Sequence, residues 1–152
     1  MNGRAKRGDG EHDLLTPSDS RIRFGRLCDI GVLIARTRGC RRRQSDDSTE
    51  HRYAHAVNLC EVYYDFVRNH GQPTAKQVIQ DLLKAGVVLR DDLDIRFWQQ
   101  IGELKVTPGK LSLADCFALA LALKLGAILV TSDHHEFDPV ASSGLQSVLF
   151  IR

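Results

Sequence analysis

Four acidic residues of this chain stand where solvation is a poor explanation of them. Asp29 follows Leu27-Cys28 at the end of the first strand-like stretch, and Glu61 falls in the first turn of a helix expected after the second. Asp115 opens the most apolar helix of the chain, and Asp133 comes just after Ile128-Leu129-Val130-Thr131. Two carboxylates about 4 Å apart repel by roughly 4 kcal/mol at an effective dielectric of 20. Four brought together would protonate or splay apart unless a cation sat among them. Oxygen-only donors select a hard divalent ion, Mg²⁺ or Mn²⁺, and no His/Cys set with zinc spacing competes. Such a site suits in-line hydrolysis of a phosphodiester, because the metal acidifies a bound water, orients the phosphate and stabilises the leaving oxygen.

A plainer reading of two of these acids stays open. Ser112-Leu113-Ala114-Asp115 has the form of a capping box, in which Asp115 satisfies backbone N–H groups, and Asn58-Leu59-Cys60-Glu61 has the same form. Asp29 and Asp133 also suit ordinary loops. The metal reading rests on the four taken together.

The elements that would position them alternate. Phe24 to Asp29 reads as a weak first strand, and Val32 to Ala35 opens a helix. Tyr53 to Val57 is a strand, followed by a helix over Asn58 to His70 that Gly71 stops. Thr74 caps a helix running to Ala85, and Val87-Val88-Leu89 is a buried strand. Asp92 to Lys105 is helical, with Ile95, Trp98, Ile101 and Leu104 at helical spacing. After the turn Thr107-Pro108-Gly109, Ser112 to Leu125 is a helix apolar nearly all round, hence buried on most sides. Ala127 to Thr131 and Val148 to Ile151 are strands. This alternation predicts an α/β fold with a parallel sheet and helices on both faces. In such a sheet, strand C-termini and the following helix N-termini share the edge where ligand crevices form, and all four acids fall there.

Length and composition agree with one domain: 152 residues, 43% apolar and 26% charged. The net charge of +2 permits nucleic-acid binding without requiring it. Residues Met1 to Ser20 read as a polar, disordered tail and 21–152 as the domain, with an atypical Arg-rich stretch over 36–50. Cys28, Cys40, Cys60 and Cys116 form no C-x-x-C pair and read as buried free thiols of a reducing cytoplasm. No apolar run reaches the roughly 18 residues of a membrane span, and Met1 to Asp13 lacks a signal-peptide core; a soluble cytoplasmic protein is expected.

From His55 to Arg152 the chain resembles PIN-domain nucleases, particularly VapC-type toxins of toxin–antitoxin pairs. The segments that carry the likeness are Ala56-Val57-Asn58-Leu59-Cys60-Glu61-Val62, Leu111-Ser112-Leu113-Ala114-Asp115-Cys116-Phe117-Ala118-Leu119-Ala120 and Leu129-Val130-Thr131-Ser132-Asp133-His134-His135-Glu136-Phe137. Their N-x-x-E, S-x-x-D-x-x-x-x-A and T-x-D-x-x-F patterns come in the family's order. The resemblance implies a three-layer α/β/α sandwich with a mainly parallel central sheet. It also implies one or two divalent cations held by Asp29, Glu61, Asp115 and Asp133, with the hydroxyls of Thr131 and Ser132 near the metal. Asp29 enters because Asp29-Ile30-Gly31-Val32-Leu33-Ile34-Ala35 looks like the family's opening motif. The chain departs from the pattern in its long polar tail, in Gly31, where Ser, Thr or Asn is usual, and in Arg36 to Arg43, nearly all basic or Gly where the family continues an apolar-faced helix.

The expected function is therefore a divalent-metal-dependent endoribonuclease, the toxin of a toxin–antitoxin pair. Its expected partners are an RNA substrate, a small antitoxin and a second copy of the chain. A catalytically impaired PIN domain that binds an antitoxin or RNA is the second reading. A small phosphatase ranks third, for want of a D-x-D nucleophile motif or Gly-rich phosphate loop. His134 and His135 read as a surface loop. The arginines from Arg36 to Arg43 are open between a phosphate contact and a solvated loop. Phe97 and Trp98 belong to the core or to a protein interface, and Tyr63, Tyr64 and Phe66 pack between helices.

Overall fold

The computed structural model describes residues 34–37, 51–106 and 111–151. Asp29, the 1–20 stretch, Cys28, Cys40, the turn at 107–109 and most of the Arg-rich stretch lie outside the described residues. The elements are β1 (Ile34–Thr37), β2 (His51–His55), α1 (Ala56–His70), α2 (Gln72–Lys84), β3 (Val87–Arg90), α3 (Ile95–Val106), α4 (Leu113–Leu125), β4 (Ile128–Thr131), α5 (His134–Ser143) and β5 (Val148–Phe150).

The strands form one five-stranded sheet in the order β3-β2-β1-β4-β5. Adjacent residues of a strand point to opposite faces, and the core divides accordingly. On β2, Tyr53 packs against a cluster containing Phe97, Ile101, Leu119, Leu121 and Phe137, whereas Ala54 belongs to a second cluster with Leu59, Val62, Leu82 and Val87. On β4, Leu129 joins the first cluster and Val130 the second. Helices α3, α4 and α5 therefore cover one face and α1 and α2 the other, a three-layer α/β/α sandwich.

The sheet is more mixed than the alternation of elements implies. The β2–β3 and β4–β5 ladders are parallel, but the central strand β1 runs antiparallel to both neighbours. Ile34 and Ala35, the described part of the run from Val32 to Ala35 that was expected to open a helix, instead start this strand. A four-residue apolar run carries no period that separates helix from strand, and the gap between β2 and β4 selects the strand. Thr37 pairs with His51, so the chain returns beside the end it left, which antiparallel neighbours allow without a crossover.

Helix α4 is the central beam. Its Ala114, Cys116 and every residue from Ala118 to Ala122 are buried. Ser112 caps its start, and Gly126 ends it in the left-handed region at φ 58°, where glycine avoids the Cβ penalty. Helix α3 turns a different face inward from the one expected: Phe97, Ile101 and Leu104 are buried, while Ile95 and Trp98 are exposed. Strand β3 is an edge strand, and only Val87 of its apolar run is buried; Val88 and Leu89 face solvent. Tyr64 is likewise exposed, whereas Phe66 packs against the second cluster. Cys116 is buried as expected, but Cys60 is exposed. No helix among the described residues is long and apolar enough to cross a membrane.

Candidate functional site

Strands β2 and β4 end side by side with β1 between them, and Ile34 enters the sheet opposite Val130. At this edge His55 closes β2 and caps α1. Its Nδ1 accepts the N–H of Val57 at 3.2 Å. The proton therefore sits on Nε2, which donates to the Asp92 carbonyl at 3.0 Å. The ring lies between Phe97 and Phe117, with centroids 5.6 and 4.7 Å away. Because His55 is the cap, α1 begins at Ala56 and not at Asn58. Glu61 consequently stands in the second turn, exposed, and the capping reading of Asn58-Leu59-Cys60-Glu61 is overturned.

Asn58 does different work. It is buried, and its Nδ2 donates to the carbonyl of Ala114 at 2.9 Å, tying α1 to the first turn of α4. Its Oδ1 is buried with no hydrogen-bond partner among the described residues. Glu61 follows one helical turn later on the same face and so comes close to Asp115. Although the residue is exposed, partial desolvation of its carboxyl raises Glu61 above its ordinary value, and the charges of Asp115 and Asp65 add to the rise.

Asp115 and Asp133 both cap helices. Asp115 Oδ2 accepts the Ser112 N–H at 2.9 Å while Ser112 Oγ accepts the Asp115 N–H at 3.1 Å, a complete capping box. Asp133 Oδ1 accepts the Glu136 N–H at 3.0 Å at the start of α5. The buried hydroxyl of Thr131 accepts the Asp133 N–H at 3.0 Å and fixes the turn; Ser132, half-buried, completes it.

Glu136, in the first turn of α5, is the member of the group that the sequence argument passed over. Its Oε2 accepts the same Ser112 N–H, at 3.1 Å, that Asp115 accepts. Its carboxyl is pushed up to about 7, chiefly by a hydrogen bond shared with Asp115, then by burial and by the charges of Asp115 and Asp133; the Ser112 N–H opposes the rise. A signal for it existed: Asp133-His134-His135-Glu136 repeats the cap-x-x-Glu form that drew attention to Asp115. The structure thus gathers Glu61, Asp115, Asp133 and Glu136 at one edge, and Asp29 lies outside the described residues.

The donors are all oxygens, and their crowding raises the Glu136 carboxyl, first through its contact with Asp115. That chemistry fits a hard divalent cation, which would neutralise the same charge. The positions are not those of a closed coordination shell. Among the described residues no three His, Cys, Asp or Glu side chains form a group that could hold a metal ion, and the caps turn one oxygen each of Asp115 and Asp133 toward backbone N–H groups.

No curated protein and no solved structure matches the chain. The family model described as PIN domain matches residues 32–142, a span that begins after Asp29 and contains Glu61, Asp115, Asp133 and Glu136. The chain belongs to the PIN-domain family, a family of nucleases.

Proposed function

We propose that this protein is a metal-dependent endoribonuclease that cuts single-stranded RNA, and the toxin of a toxin–antitoxin pair. The observation that carries the nuclease reading is the gathering of Glu61, Asp115, Asp133 and Glu136 at one sheet edge of a PIN-family chain. Glu61, Asp115 and Asp133 would hold Mg²⁺ or Mn²⁺, with Asp29 as a further ligand. Bound there, the ion would acidify an attacking water and offset charge on the scissile phosphate. The chain's own residues set the stage for this. Asn58 holds Glu61 near Asp115, Thr131 and Ser132 shape the turn that presents Asp133, and Glu136, its carboxyl raised to about 7, stands beside Asp115. Direct attack by water on phosphorus fits an all-carboxylate site of this kind best.

The toxin role, a small antitoxin, a homodimer and a cytoplasmic location rest on the likeness to VapC-type toxins. One observation favours the second reading, a binding module without catalysis: among the described residues the carboxylates do not stand as a coordinating group.

The deciding experiment incubates purified protein with mixed cellular RNA in Mg²⁺, Mn²⁺ or EDTA, beside Asp115→Asn. Asparagine keeps an acceptor for the Ser112 N–H, so the helix cap survives, and a thermal melt verifies the fold. Cleavage that requires the metal and falls by about 100-fold or more in the variant supports the enzyme. Folded wild-type protein that binds RNA but cleaves none in either metal supports the binding module.

A further inference from the structure

His134 and Phe150 make a feature that the carboxylates do not use. His134 opens α5, next in the chain to Asp133, and Phe150 ends β5. Their rings stack with centroids 4.1 Å apart and planes within 12°. Phe150 packs against the larger core cluster, so the imidazole rests on a fixed base. The ring is held at a second point, because His134 Nδ1 meets Asp138 Oδ1 at 3.2 Å; an ionised carboxylate only accepts, so Nδ1 carries the proton. With one face on Phe150 and one edge on Asp138, the His134 side chain remains 60% exposed. Phe150 covers one face and Asp138 meets one edge, which leaves the outer face and the far edge to carry that exposure.

We infer that the outer face of His134 is a stacking platform for one unpaired nucleobase of the substrate, on a nucleotide flanking the scissile phosphate. The inference rests on the nuclease reading above and adds to it how the strand is seated. His134 follows Asp133 directly, their Cα atoms about 3.8 Å apart, so the platform is placed beside an acid proposed to hold the metal. Single-stranded RNA is held by unstacked bases laid on flat side chains, histidine among them. Every base has a π-face, so this contact fixes position and leaves the choice of base open.

The test measures binding of a labelled single-stranded RNA oligonucleotide in Mg²⁺ by fluorescence anisotropy, in the Asp115→Asn background so that the strand is not consumed. Replacing His134 by Ala weakens binding at least about fivefold, the low end of base–aromatic stacking, and His134→Phe restores it. The slope of log affinity against log salt is unchanged, because no phosphate contact is lost. In RNAs carrying one abasic nucleotide, a single position costs the His134 protein a similar factor and costs the Ala variant nothing; the His134 arm requires no change at position 134. Equal affinity of the Ala variant and its parent overturns the platform alone. A loss accompanied by a shallower salt slope also overturns it, by making His134 a phosphate contact. Absence of RNA binding by the parent overturns the platform, while cleavage by the wild-type protein decides the nuclease reading separately.

Discussion

Glu136 and Asp115 both accept the Ser112 N–H, and the nearness of Asp115 is the chief cause of the raised Glu136 carboxyl. Removing one charge should act in opposite directions with and without metal. In EDTA at pH 8, Glu136→Gln keeps an acceptor and gains an amide donor toward Asp115, and should raise the melting temperature by about 2–4 °C, the effect of ~1 kcal/mol in a domain of this size. In saturating Mg²⁺ the melting temperature of the variant should rise less than that of wild type, since one negative charge near the ion is gone. An equal metal-induced rise in both proteins would place Glu136 outside the metal's field. At this scale the sequence was legible in kind and incomplete in membership. Asp115 closes the capping box that its spacing offered, while Asp133, whose plainer reading was a loop acid, caps α5 instead. Glu136 was missed because His134-His135 read as a surface loop, whereas the three residues form the first turn of α5.

Elements are brought to the site by contacts that no local pattern announces. The side chain of Asn58 crosses from α1 to the Ala114 carbonyl of α4, a pairing separated by 56 residues in sequence. Asn58→Ala should cost about 1–3 kcal/mol, the penalty for losing a buried polar partner. Leu82→Ala, in the cluster beneath α2, should cost about 2–5 kcal/mol by opening a cavity. Their effects on RNA cleavage should rank the other way. Per folded molecule, the Asn58 variant should lose more kcat, because Glu61 is released from Asp115, while the Leu82 variant keeps its acids in place. Chemical unfolding and single-turnover cleavage on the same preparations provide both numbers, and a ranking of kcat that merely follows stability would contradict the positioning role. The same distance from local pattern explains the element errors. The start of α1 moved because a histidine, a rare cap, took the place expected of Asn58. The i, i+3 stripe of α3 included Ile95 and Trp98, but the packing selects Phe97, one residue away from Trp98. Strand β3 is apolar yet lies at the sheet edge, a fact fixed by the order of strands and not by its composition.

The three-layer arrangement was legible because strand and helix signals alternate along the chain, and the carboxyl edge followed from it. The antiparallel β1 was not, since strand direction is a property of the assembled sheet. That assembly places two oppositely shifted groups of carboxyls in one molecule, and their pH dependences oppose each other. Asp92 links β3 to α4. Hydrogen bonds from Arg90 first and then Lys124 hold its carboxyl below the ordinary 3.8. Folded protein then binds fewer protons there than unfolded protein, so the stabilisation is complete above about pH 4 and is lost as pH falls through the lowered value. Glu61 and Glu136 are shifted upward instead, Glu136 to about 7. The folded state holds their protons longer, so metal-free protein should lose stability as pH rises from 4.5 through 7 and lose no more above that. Chemical unfolding in EDTA across pH 3 to 9 should therefore show a maximum on the acid side of neutrality. Asp92→Asn should flatten the limb below pH 4 and leave the upper limb alone, whereas Glu136→Gln should flatten the upper limb. A wild-type curve that climbs steadily to pH 8 in EDTA would mean that the gathered carboxylates do not repel one another in solution, and the case for a cation among them would lose its electrostatic basis.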